Sequence, residues 1–231
     1  MRVLAIDSST DILSVAVRGE GGAAEASIDS GLTHAERLME LVDFCTRRSG
    51  LEPSAIELVA CARGPGSFTG LRIGMATAKG IALGLGIPWV AVPTLDCLAW
   101  GREDFPGVVV PVVDGKKGRL YSAVYAGGLR RGAWLDLPLA ALAALLDTFP
   151  EALVTGPAAE LFGDYARGRS GLRLDRLARS PAARALATLG EAAFLRDGGT
   201  APGEGPLYLR PSEAEETAAI KAAIEREAAV Q

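Results

Sequence analysis

The sequence predicts an α/β protein of two lobes, each a mixed sheet flanked by helices. Three observations carry this. The chain opens with three short apolar or alternating stretches separated only by turn residues. It then alternates helix-like and strand-like segments, and near residue 104 the strand pattern restarts. These features divide the 231 residues into an N-terminal lobe (1–103), a smaller C-terminal lobe (104–211) and a polar helical tail (212–231). With 49% hydrophobic residues the chain is expected to bury a substantial core, which excludes a disordered reading.

Residues 3–6 form a continuous apolar run, expected as a buried strand. After the polar turn Ser8-Ser9-Thr10-Asp11, residues 12–17 form a second strand, and glycines at 19 and 22 turn the chain into a third at 24–28. A helix over 33–48 is opened by a Thr33/Glu36 capping box. Its Leu38, Leu41, Val42 and Cys45 recur at helical spacing, Arg47-Arg48 suit its last turn, and Gly50 ends it. Residues 58–62 read as a strand, 69–85 as a long helix of small residues, 87–92 as a strand, and Thr94 starts a short helix through Trp100. In the second lobe, strands at 108–113 and 120–126 are joined by Asp114-Gly115-Lys116-Lys117-Gly118. Helices follow at 139–146, 158–166 and 182–195, with a strand at 152–155 between the first two. The repeated opening on strands hints at an old duplication.

Several function classes are disfavoured at once. A net charge of −4 lacks the basic surplus of a stand-alone nucleic-acid binder. Three widely spaced cysteines suit a reducing compartment and form neither a disulfide framework nor a zinc ribbon. The longest apolar stretch, 73–92, is interrupted by Lys79, glycines and Pro88, so no membrane span is expected and the chain is read as cytoplasmic.

Four motifs hold candidate chemistry. The turn Asp7-Ser8-Ser9-Thr10 offers hydroxyls and backbone N–H groups to a phosphate, and is equally a hairpin of good turn formers. The loop Gly64-Pro65-Gly66-Ser67-Phe68-Thr69-Gly70 stands between a strand and a helix. It fits neither dinucleotide nor Walker spacing, because Thr69 replaces the third glycine and no Gly-Lys-Ser/Thr follows. In the helix behind it Gly70, Gly74 and Ala78 share one face. Each interior glycine costs about 1 kcal/mol, so a close neighbour must repay it, either within the chain or on another subunit. His34 is the only histidine, and Leu38 stands where a second imidazole would complete a metal pair, so His34 is read as a surface or interface residue. Basic clusters at Lys116-Lys117-Arg119, Arg130-Arg131 and Arg167 to Arg179 read as a solvated face or a phosphate-contacting stripe.

Several segments together resemble one family. Leu4-Ala5-Ile6-Asp7-Ser8-Ser9-Thr10 with Ser14-Val15-Ala16, His34 with its helix, and the run from Arg63 to Gly74 with Ala78-Lys79-Gly80 are similar to the TsaB (YeaZ) family. So are Thr94-Leu95, Pro111 to Asp114 with Tyr121, and Tyr208-Leu209-Arg210. The likeness is dense over residues 1–100 and thinner beyond. It implies an actin-like, Hsp70-like ATPase (ASKHA) fold. It further implies a non-catalytic scaffold that activates the paralogous catalytic subunit TsaD in tRNA N6-threonylcarbamoyladenosine (t6A37) modification, with the ATPase TsaE joining them. The isolated chain is expected to form a homodimer and to meet tRNA mainly through the complex.

The family's interface helices place His34, Leu38, Leu41, Val42 and Cys45, with Gly70, Arg72, Gly74, Met75 and Ala78, at the partner contact. No metal or resident cofactor is implied, and Asp7, Ser8, Ser9 and Thr10 remain the phosphate-turn candidates. A nucleotide is expected, if anywhere, at a subunit seam. Two departures bear on this: the family's D-A-R-x-x-E-V-Y becomes Asp114-Gly115-Lys116-Lys117-Gly118-Arg119-Leu120-Tyr121, and Thr155-Gly156-Pro157-Ala158 lacks an adenosine-binding double glycine. The competing reading is an actin-fold, ATP-dependent small-molecule phosphotransferase using Asp7 or Asp114.

Overall fold

The computed structural model describes residues 1–20, 22–29 and 33–211. The expected tail at 212–231 lies outside them. The first sheet contains β1 (Val3–Asp7), β2 (Ile12–Gly19), β3 (Gly22–Asp29), β4 (Leu58–Gly64) and β5 (Trp89–Pro93), in the order β3-β2-β1-β4-β5. The first three strands run antiparallel as a meander, and β4 and β5 are parallel to β1. Helix α1 (His34–Arg48) connects β3 to β4, and α2 (Phe68–Leu85) connects β4 to β5.

Both faces of this sheet are covered, which is why β1 is apolar at nearly every position rather than alternating. Leu4 and Ile6 point to the side of α1 and α2, where Leu38, Cys45 and Met75 join them in one core. Val3 and Ala5 point the other way, toward α3 (Thr94–Ala99) and α6 (Ala183–Asp197). Thus α6, late in the sequence, packs against β1, β2, β4 and β5 of the first sheet. The alanines beneath it make room: a Cβ on Gly190 would lie 2.6 Å from that of Ala60. Glu191 fastens the helix through the N-terminal amine at 2.7 Å and the Arg18 guanidinium.

The second sheet holds β6 (Val108–Asp114), β7 (Arg119–Ala126), β8 (Leu129–Pro138), β9 (Ala152–Thr155) and β10 (Leu172–Leu174), in the order β10-β9-β6-β7-β8. Read from the other edge, this repeats the first sheet: an antiparallel meander, then two strands parallel to its first member. The duplication hinted at by the sequence is therefore a duplication of topology. Helix α4 (Leu139–Leu146), a 3₁₀ turn (Ala159–Phe162) and α5 (Gly163–Ala166) cover one face. The other face contributes Val109, Val113, Tyr121 and Tyr125 to the core shared with α3 and α6. There the Tyr125 hydroxyl donates to Asp96 of α3 at 2.5 Å, tying the two sheets together.

Several elements differ from the sequence expectation. The Thr33/Glu36 capping box does not form, since no side-chain hydrogen bond caps α1 at Thr33. The helix expected over 158–166 is a 3₁₀ turn followed by a single α-turn. The edge strands β8 and β10 have no counterpart in the sequence reading: β8 is largely exposed and shows no clean alternation, and β10 has three residues. Ser67 and Gly86 bound α2 as N-cap and left-handed C-cap, and Gly50 follows α1 with φ +72°.

The seat of α6 generates a prediction. Gly190→Ala improves helix propensity by about 1 kcal/mol yet forces the helix off Ala60. Net destabilisation of roughly 1–3 kcal/mol is expected, seen as a lower thermal midpoint and partly rescued by Ala60→Gly in the double variant. A midpoint at or above that of the parent chain would contradict this packing.

Candidate functional site

The two sheets place their first turns opposite each other across a cleft. On the first-lobe side, the turn after β1 is folded in on itself. Asp7 Oδ1 accepts from the Ser9 N–H at 2.9 Å and from the Ser9 hydroxyl at 2.6 Å. The Ser8 hydroxyl donates to the Gly70 carbonyl at 2.8 Å, and Thr10 Oγ1 accepts from the Ile12 N–H at 3.2 Å. All four side chains are buried, and burial pushes the Asp7 carboxyl above its usual range against the opposing effect of the Ser9 hydrogen bonds.

The glycine-rich loop and α2 form the bed for this turn. A Cβ at Gly66 would stand 2.1 Å from the Ser9 carbonyl oxygen, at Gly70 2.0 Å from that of Ser8, and at Gly74 2.1 Å from Ser8 Oγ. No side chain fits at those distances, so the three glycines are required by contact with the chain's own turn. The Ser67 N–H donates to the Ser9 carbonyl at 2.7 Å and completes the joint.

This geometry corrects the expected partner residues. Gly70, Gly74, Met75 and Ala78 face inward, and so do Leu38, Leu41, Val42 and Cys45 of α1. The apolar face that made these helices conspicuous is the face the sheet covers. His34, expected at the surface or at an interface, is only 3% exposed, its Nε2 3.5 Å from the Asp11 carbonyl oxygen. Of the ten candidates only Arg72 is exposed. Its guanidinium lies 4.0 Å from the centre of the Phe68 ring, and its Nε donates to the Tyr208 hydroxyl at 3.1 Å.

The second-lobe turn between β6 and β7 projects openly. Lys116 donates its N–H to Asp114 Oδ1 at 2.8 Å and its ammonium to Oδ2 at 2.9 Å. A strap over residues 199–211 then crosses from one lobe to the other. The Lys79 ammonium holds the Pro202 and Glu204 carbonyls at 2.9 and 2.6 Å, the Leu207 N–H donates to the Arg63 carbonyl at 2.7 Å, and Tyr208 stacks on Phe68 with centroids 4.4 Å apart. Arg210 then reaches the Gly115 carbonyl and the Asp136 carboxylate of the second lobe. Sequence reasoning finds Tyr208-Leu209-Arg210 only as a family likeness; their role as a clasp depends on partners more than 90 residues away in the chain. Between the turns and the strap lies an open cleft of about 920 Å³.

The cleft does not suit the nucleotide chemistry that its fold class suggests. A triphosphate held between the two turns would need the hydroxyls and N–H groups after β1, and of these the Ser8 hydroxyl is committed to Gly70 and the Ser9 hydroxyl and N–H to Asp7. On the far wall, Gly156 is pressed onto β6, its missing Cβ only 2.5 Å from the Val112 carbonyl oxygen. The residues therefore do not fit a nucleotide bound in this way. Among the described residues no group of three His, Cys, Asp or Glu could hold a metal. Burial raises all three thiols, Cys45 to about 11 and Cys61 to about 12, so none is poised as a nucleophile.

A family profile described as "TsaD: tRNA N6-adenosine threonylcarbamoyltransferase" matches residues 29–137. The chain is 37% identical over 127 residues to the Escherichia coli "tRNA threonylcarbamoyladenosine biosynthesis protein TsaB"; the match covers 54% of this chain and 55% of that protein. The chain thus spans about half the length of the curated relatives it matches. A Pseudomonas aeruginosa crystal structure, described as an uncharacterized protein with similarity to peptidase YEAZ, superposes with a TM-score of 0.74 at 30% identity, covering 90% of this chain and 99% of that one. A Streptomyces griseus ROK family glucokinase, solved with glucose and AMPPNP, shares the fold alone, with a TM-score of 0.51 at 12% identity, covering 83% of this chain and 100% of that one. With an actin-like pair of sheets, a glycine bed closed on the first turn, and likeness over nearly the whole length of the Pseudomonas structure, the chain belongs to the TsaB (YeaZ) family.

Proposed function

We propose that this chain is the non-catalytic partner subunit of the machinery that makes N6-threonylcarbamoyladenosine on tRNA, in the cytoplasm. In this reading it binds and activates the paralogous catalytic subunit TsaD, TsaE joins the pair, and the isolated chain self-associates through the same helices. The carrying observation is the outward face of α1 and α2, which lie side by side on the first sheet. Met39 and Phe44 on α1 are 54% and 46% exposed, and Leu83 on α2 is 85% exposed. Around Leu83, Gly80 and Gly84 have open space where a Cβ would stand, which lets another helix approach closely. Large apolar side chains beside small ones on a helix pair make a docking surface.

The absence of independent chemistry is supported by what the polar groups do. Asp7 and the serines are occupied in the turn, and Asp114 is turned to Lys116. A small-molecule phosphotransferase would need those groups available to substrate. No described helix is long and apolar enough to cross a membrane.

The exposed helix face is open to a direct test. Leu83→Glu should leave the chain folded, since the side chain is almost wholly exposed. It should weaken association with TsaD roughly 10- to 100-fold, the value of losing one buried leucine, as measured by light scattering or calorimetry. Undiminished association would move the interface elsewhere. Gly74→Leu, by contrast, should unfold the chain rather than act selectively on association.

A second prediction concerns Asp7. Its carboxyl is raised from 3.8 by burial, so the stability its neutral form provides is complete below about pH 4 and lost as pH rises through the folded value. Asp7→Asn should therefore raise the thermal midpoint at neutral pH, with the advantage vanishing near pH 3 to 4, and TsaD should still be activated. Loss of activation with the fold intact would give Asp7 a part in the chemistry.

A further inference from the structure

On the rim of the cleft two lysines hold a backbone conformation that their side chains disfavour. Lys116 and Lys117 have φ of 60° and 54°, and Gly118 follows at 72°. A turn with positive φ at successive positions is ordinarily built from Asn and Gly, because a Cβ crowds the carbonyl there. Both lysines are exposed, with 66% of the Lys116 side chain accessible, so packing does not account for the choice. What lysine adds at these positions is long-reaching positive charge.

The surroundings share that sign. The whole chain carries −4, yet the cleft is lined by five arginines and lysines against three carboxylates. Lys116 and Lys117 stand on the second-lobe side, Arg72 on the first, and Arg179 near the Pro157 carbonyl. Lys116 is paired with Asp114 at 2.9 Å and Arg179 with Asp29 at 2.6 Å. Both are exposed pairs of small individual worth, which a phosphate can take over. The cations surround an open groove instead of converging on one enclosed point, and the groove also holds the stacked Phe68 and Tyr208 rings. A basic groove with aromatic rings tracks a polynucleotide strand. With the Ser8 and Ser9 hydroxyls and the Ser9 N–H already engaged, it is poorly built to cradle a single triphosphate.

We infer that this rim, centred on Lys116, Lys117 and Arg179, contacts the phosphate backbone of RNA, which under the function proposed above is the substrate tRNA. The inference rests on that reading. It assigns the chain a direct share of tRNA binding in addition to its contact with the catalytic subunit.

The test uses the full chain in complex with TsaD, with an unmodified tRNA transcript as probe and ATP as competitor. The variant Lys116→Asn/Lys117→Gly suits the turn's backbone better than the native lysines. Its thermal midpoint should rise by about 2–4 °C, and its association with TsaD should be unchanged. Its affinity for tRNA should fall several-fold, with the slope of log K against log salt shallower by about 0.7–0.9 for each phosphate that is no longer neutralised. Arg179→Gln, which lies off the turn, should show the same salt signature. Unchanged affinity and slope in both variants would overturn the inference. So would loss of ATP binding with tRNA binding intact, which would make the rim a nucleotide site. A parent chain that fails to bind TsaD would sink the proposed function; a parent chain that binds TsaD while the rim variants leave tRNA binding untouched would sink only this inference.

Discussion

The contact on which the rest of the structure depends is the seating of the first β-turn in a bed of glycines. Ser8 and Ser9 lie against Gly66, Gly70 and Gly74 at distances that exclude any Cβ, and the Ser8–Gly70 and Ser67–Ser9 hydrogen bonds hold them there. Interior glycines weaken a helix, so this one is stable because its backbone docks on the end of β1. That docking sets the rotation of α2 about its own axis. It follows that Met75 and Ala78 face the sheet, and that Leu83, Gly80 and Gly84 face solvent. The outward apolar side of α2 and the engagement of the Ser8 hydroxyl have one cause: a hydroxyl that anchors the helix is not free to receive a ligand.

Much of the fold was legible in the sequence for a plain physical reason. A sheet covered on both faces writes itself as continuous apolar runs, as at Val3–Asp7 and Leu58–Gly64, and Gly50 marks the end of the first helix between them, whereas the caps of α2 at Ser67 and Gly86 emerge only in the structure. Elements held by non-local pairing were not legible. Strand β8 exists because it pairs with β7 through a shifted register, and nothing in its exposed residues announces this. The site was legible as a set of motifs and illegible as an arrangement. Gly70, Gly74 and Ala78 were seen to share a face, but the same pattern serves an internal turn and an external helix equally. Only the position of Ser8 decides between them, and β1 lies some 60 residues away in the chain.

The strap shows a similar division of labour. Residues 199–211 have almost no regular structure, yet they bind Arg63, Phe68, Arg72 and Lys79 of the first lobe and Gly115 and Asp136 of the second. With the Tyr125–Asp96 hydrogen bond, they fix one lobe relative to the other at both sides of the shared core. An enzyme that closes around substrate needs such links to break. These polar and aromatic links favour a cleft of constant width, which suits the scaffold role proposed above.

The two lobes share a strand order but treat their first turns oppositely, and the difference follows from what comes after each lobe's fourth strand. In the first lobe β4 leads into α2, eighteen residues long, whose glycine face covers the turn after β1. In the second, β9 leads into a 3₁₀ turn and a four-residue helix, too short to cover the corresponding turn after β6. The Asp114–Gly118 turn is therefore left projecting into the cleft with its lysines exposed, while its counterpart lines the cleft with its side chains largely buried against α2. The two turns hold equivalent places in the two sheets, and the length of the helix after each lobe's fourth strand decides that the first is packed against its helix while the second projects.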